Sequence, residues 1–175
     1  MNFTIETLES HKDLGVLMSS NGGFEAHIEK VTKKIRQKIG WIMRSFYYRD
    51  INFMRQIFIS LVRPHMDYRA QLWAPKEGPL LDKLEKLVYD YTKLIPEIRN
   101  LPYDERLTKM RLQSAQRRYE RYSIIYTRKC ITGSVPNIGI SVRRDSKDRN
   151  GTKLEIPLSK ETSSMRRNSI HIRGP

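Results

Sequence analysis

The sequence predicts a mainly α-helical protein, a helical bundle with a short β-ribbon before it and a largely disordered basic tail after it. Three observations carry this expectation. Apolar residues recur at steps of three and four through most of 24–132, the first 20 residues read as strands, and helical periodicity stops after Gly133. The division is 1–20 as a strand pair, 21–133 as a helical domain and 134–175 as a flexible basic tail. At 175 residues the chain is long enough for one domain with a hydrophobic core.

In the ribbon, Phe3 and Ile5 alternate with Thr4 and Glu6, and Leu14-Gly15-Val16-Leu17-Met18 forms a short apolar run. Asn21-Gly22-Gly23 punctuates the chain before the first helix. From Phe24 to Tyr47, the residues Ile28, Val31, Ile35, Ile39, Ile42 and Phe46 make an unbroken stripe. Glu25 and Glu29 suit its N-terminal end and Arg44 its C-terminal end.

Asp50 can cap a second helix whose buried face is Met54, Ile57, Phe58, Leu61 and Val62. Pro64 is expected to kink or end it, with Trp73-Ala74-Pro75 packing on the core beyond the corner. Pro79 suits the first turn of a third helix in which Leu80, Leu84, Leu87, Val88, Tyr91, Leu94 and Ile95 face inward until Pro96. Tyr103–Met110 gives one or two helical turns. Ser114 caps a last helix running to about Thr132, with Gly133 just past its end. Residues 134–175 are rich in Ser, Arg, Asn and Gly, a composition that cannot bury a core.

A net charge of +14 and a pI near 10.0 point to an anionic partner, nucleic acid first. No apolar run is long enough to span a membrane, and no membrane partner is expected. The N-terminal residues carry acids where a signal peptide carries bases. Cys130 is alone, so an internal disulfide is excluded and a thiolate zinc site is not expected. Both features suit an intracellular location, nucleus or cytoplasm. The Asn-x-Thr patterns at Asn2 and Asn150 then have no role, and Arg166-Arg167-Asn168-Ser169 is a short kinase-like pattern of the kind that arises by chance.

His65 and Asp67 could be a base and its orienting acid. No nucleophile, metal constellation or phosphate-cradling loop accompanies them, so Arg63-Pro64-His65 reads as a structural corner. No cofactor is implied.

Four stretches in order, "KDLGVLMSSNGGFEAHIEKVTKKIRQKIGWIMRSF" at 12–46, "SLVRPHMDYRAQLWAP" at 60–75, "LEKLVYDYTKLIPEIRNLPYDERL" at 84–107 and "RRYERYSIIY" at 117–126, resemble the thumb and post-thumb region of reverse transcriptases from non-LTR retrotransposons of the LINE type, jockey-like clades. The end, "RRNSIHIRGP", resembles the start of that family's terminal motif. The resemblance covers about Lys12 to Asn137 and, more weakly, 151–175. It implies a thumb-like helical domain, with residues 1–20 left from the edge of the polymerase palm.

Such enzymes are RNA-directed DNA polymerases that hold magnesium on an Asp-Asp pair upstream of the Leu-Gly-Val strand. This sequence has no Asp-Asp pair. Neither Asp13 nor Asp67 stands at a ligand position of the family, so the resemblance implies a noncatalytic fragment. Arg69, Ser123 and Arg128 depart from the residues common in the family.

Two basic faces are the candidate nucleic-acid-binding sites. Opposite the stripe of the first helix lie Lys30, Lys33, Lys34, Gln37, Trp41 and Arg44. The cations can neutralise phosphates. Trp41 can stack on a base, or can dock on the palm that the resemblance implies. The last helix offers Arg117, Arg118, Arg121, Arg128 and Lys129 among Tyr119, Tyr122 and Tyr126. Those tyrosines read as core more readily than as stacking platforms, and the arginines could equally pair with Glu120, Asp104 or Glu105. The expected partners are RNA or DNA bound without sequence preference, and a separate palm-containing polypeptide. The alternative is a helical protein-interaction module derived from the same kind of element.

Overall fold

The computed structural model describes residues 8–135, 141–144 and 152–155. The ribbon is two antiparallel strands, β1 (Ser10–Asp13) and β2 (Val16–Ser19), with Asp13 opposite Val16. Leu14 and Gly15 both take left-handed backbone, φ 44° and 90°, as a two-residue hairpin turn demands. This corrects the sequence reading in two ways. Leu14 is a turn residue, exposed rather than part of an apolar strand, and the strand that pairs with 16–19 is Ser10–Asp13, a stretch the apolar pattern does not mark. The Phe3–Ile5 segment lies outside the described residues. Val16 is buried, and the Leu17 amide donates to His27 Nδ1 at 3.3 Å, which fastens the ribbon to the first helix.

Helix α1 (Glu25–Ser45) buries Ile28, Ile35 and Ile42 and half-buries Val31, Ile39 and Phe46, as its stripe predicts. Each fully buried isoleucine contributes about 1.5–3 kcal/mol of transfer free energy. His27 and Thr32 are also buried. Helix α2 (Ile51–Ile57) is capped by Asp50, whose carboxylate accepts from the amides of Asn52 and Phe53 at 3.0 and 3.2 Å.

Pro64 does not end this helix. A π-helical turn (Phe58–Val62) leads straight into α3 (Arg63–Asp67), and Arg63 N–H reaches back five residues to Phe58 O. The wider turn makes room for the proline ring, and Arg63 keeps helical angles instead of the extended ones usual before proline. The corner falls later, at Arg69, whose φ of 51° separates α3 from α4 (Ala70–Trp73).

Gly78 and Pro79 open α5 (Pro79–Lys93), which buries Leu81, Leu84, Leu87, Val88, Tyr91 and Thr92, with Ile95 just beyond its end. Leu81 takes the buried place expected of Leu80, which is half-exposed. Helix α6 (Tyr103–Lys109) supplies Arg106, a buried guanidinium over the rings of Tyr89 (4.4 Å) and Tyr103 (5.3 Å) that donates to Tyr89 O and Thr92 Oγ1. Ser114 caps α7 (Ala115–Ile131) through Arg117 N–H, and Gly133 follows with φ 72°.

The core closes where α5 packs on α1, α6 and α7, the π turn packs on α1, and α4 packs on α7. Beyond α7, β3 (Ser141–Arg144) pairs antiparallel with β4 (Thr152–Glu155), Val142 opposite Leu154. The expected disorder does not hold for these eight residues. The rest of the expected tail lies outside the described residues.

Candidate nucleic-acid interface

The basic face of α1 is built by its own buried stripe. Burial of Ile28, Ile35 and Ile42 fixes the rotation of the helix and leaves Lys30, Lys33, Lys34, Gln37, Trp41 and Arg44 exposed together. The ion pairs among the described residues are Lys83–Glu29 at 3.4 Å and Arg118–Asp67, so these four cations keep their charge free. Two neighbouring histidines register that charge. His27 is pushed down from its ordinary value by burial first and then by Lys30, and His65 by burial first and then by Lys34 and Lys38. Both are therefore biased towards the neutral form beside the lysines.

Trp41 is half-exposed and meets Phe46 edge to face at 6.0 Å. Phe46 continues to Phe53 at 5.4 Å, and Phe53 to Tyr48 at 5.9 Å. Trp41 is legible from its place on the helix face, whereas Tyr47 and Tyr48 lie between helices and outside any periodic pattern.

The last helix is divided. Arg117 and Arg121 are exposed and lie about 40° apart on one face, with Arg128 between them. Arg118 does not join them. Its Nε donates to both carboxylate oxygens of Asp67, at 2.8 and 3.0 Å, and its guanidinium lies 5.1 Å from the Tyr122 ring. The sequence reading offered it acids on its own helix or on α6, but the partner is 51 residues earlier in the chain. Arg118 is thus a structural cross-link between α7 and α3. Arg63 stands close to the same pair, pushed down by burial first and then by the Arg118 charge, with Asp67 opposing. Tyr119 is core, as expected, and Tyr122 and Tyr126 are half-buried.

The stretch around Pro64 forms a junction. Trp73 is fully buried, its indole donates to Tyr68 O at 2.8 Å, and its ring meets His27 of α1 at 5.1 Å and Tyr119 of α7 at 6.1 Å. Tyr68 OH donates to Leu14 O at 2.9 Å, tying the same corner to the ribbon turn. One short segment therefore braces β1–β2, α1 and α7. Beside it, between α4 and α7, lies an apolar groove of about 260 Å³ lined by Ala70, Ala74, Pro75, Tyr119 and Ile124 among others.

Among the described residues no cluster of His, Cys, Asp or Glu could hold a metal ion, and no helix is long and apolar enough to cross a membrane.

Comparison with known proteins adds one relative. Uncharacterized protein B0403.1 of Caenorhabditis elegans is 23% identical over 107 residues. The match takes in 59% of this chain and 54% of that protein, so it spans about half the length of the relative. No family model matches the chain, and no solved structure does.

Proposed function

We propose that this chain is a noncatalytic, nucleic-acid-binding piece of a LINE-type reverse transcriptase, its thumb-like region, and that it grips the sugar–phosphate backbone of RNA or DNA without reading sequence. One observation carries the reading: Lys30, Lys33, Lys34 and Arg44 share an exposed face of one helix and enter no ion pair among the described residues, on a chain of net charge +14. A row of cations at this spacing neutralises successive phosphates, and it offers no donor fork fixed against base edges. Such a piece works inside the cell, in nucleus or cytoplasm, beside a palm-containing polypeptide that supplies the catalytic aspartates. The test is the affinity of the full chain for labelled RNA and DNA over a range of salt: binding that weakens steeply with salt supports the reading, and absence of binding at low salt refutes it.

A second reading has its own support. The apolar groove between α4 and α7, with Leu72, Ile124 and Ile125 exposed, is the kind of surface that seats a protein partner. A helical protein-interaction module would bind there and be indifferent to changes on the α1 face.

A further inference from the structure

Trp41, Tyr47 and Tyr48 are exposed aromatics at the junction of α1 and α2 that the backbone-binding reading does not use. Tyr47 and Tyr48 lie in the linker between Ser45 and Ile51 and are 93% and 70% exposed, and Trp41 is 49% exposed. Large rings left open to water in a folded protein are an interface feature when they cluster. Here Trp41 and Tyr48 are the open ends of a row of rings, with half-buried Phe46 and Phe53 between them at 5.4–6.0 Å steps. The packed centre holds the ends in place.

The electrostatics around the row choose the occupant. Between residues 30 and 56 the chain carries Lys30, Lys33, Lys34, Arg36, Lys38, Arg44, Arg49 and Arg55 against one acid, Asp50. Asp50 is engaged by two backbone amides at the start of α2, and none of the eight cations is in an ion pair among the described residues. Exposed rings on a segment this rich in cations fit a polymer that presents planar bases and phosphates together. A duplex hides its base faces within the stack, and a single strand exposes them.

We infer that Trp41, Tyr47 and Tyr48 are a stacking platform for the unpaired bases of single-stranded nucleic acid, with the flanking cations following its phosphates. The inference rests on the nucleic-acid reading above and adds the class of strand.

The test uses the full chain with two fluorescein-labelled probes, an oligodeoxythymidylate and a mixed-sequence duplex of the same length, at one salt concentration. The single strand is expected to bind about tenfold or more tightly than the duplex. Tyr47→Ala/Tyr48→Ala and Trp41→Ala should each remove most of that preference while duplex affinity holds, and Trp41→Phe should keep it. Unlabelled oligodeoxythymidylate should also quench the exposed indole, which is distinguishable because Trp73 is buried. Circular dichroism confirms that the variants fold. Equal affinity for the two probes, or variants that weaken both alike, overturns the platform and leaves backbone binding standing. Failure of both probes to bind at low salt overturns backbone binding and the platform with it.

Discussion

Arg118 on α7 holds both carboxylate oxygens of Asp67 on α3, at 2.8 and 3.0 Å from its Nε, across 51 residues of sequence. Both side chains are about four-fifths buried. The pair takes one arginine out of the basic patch on α7 and turns it into a brace for the corner that carries Trp73.

Removing either partner leaves the other charge mostly buried and unpaired. Asp67→Ala and Arg118→Ala should each lower stability by about 1–3 kcal/mol in urea unfolding, and the double variant should cost clearly less than their sum. Nucleic-acid affinity of folded Arg118→Ala should stay near that of the unaltered chain. Unchanged stability with weakened binding would return Arg118 to the interface.

His27 gives the fold a pH dependence. Its imidazole accepts from Leu17 N–H and is pushed down, chiefly by burial and then by Lys30, so the folded state takes up its proton at lower pH than the unfolded chain does. The stability it contributes is therefore complete above about pH 6.5 and is lost as pH falls through the folded value, at up to about 1.4 kcal/mol per pH unit. His65, also pushed down, adds to the same trend. Unfolding midpoints measured from pH 7.5 to 5 should fall, and less so in His27→Gln. A midpoint that rises on acidification would show that the sign is wrong.

What could be read from the sequence was the local chemistry. Ile28, Ile35 and Ile42, the Asp50 cap, Pro79 at the start of α5, Ser114 and Gly133 all act within a turn or two of their own position, and all stand where the pattern puts them. Of the two outcomes open at Pro64, a kink or an end, the end does not occur, because a π turn carries the helix through the proline. Leu14 misled because hydrophobicity outweighed the turn geometry that Gly15 makes possible. In the candidate site the α1 face was legible from periodicity alone. The Asp67–Arg118 pair was not, since either residue alone looks like any surface charge.

Tyr91 OH donates to Met54 O at 2.8 Å inside the core, at the point where α2 passes into the π turn. Tyr91→Phe should cost about 1 kcal/mol, the net worth of one such hydrogen bond, with the fold retained. A loss several times larger would mean that the hydroxyl also sets the π turn itself.

The sequence has no Asp-Asp pair. On the proposed noncatalytic reading, the purified chain is expected to extend no primer on an RNA template with nucleotides and magnesium or manganese. Template-dependent extension that co-purifies with the protein through several columns, and disappears with a tagged chain's depletion, would contradict the noncatalytic reading.

The central claim is that the α1 face holds phosphates, and the slope of log affinity against log salt tests it most directly. Engagement of roughly 3 to 5 phosphates predicts a slope of about −2 to −5, depending on strand number. Changing Lys30, Lys33 and Lys34 together to Gln keeps helix propensity and leaves the buried stripe untouched. The account predicts that this folded variant binds more weakly with a slope flatter by about 2 to 3. A folded variant whose slope matches the unaltered chain would contradict it, and would move the interface to Arg117 and Arg121 on α7 or to the protein-binding groove.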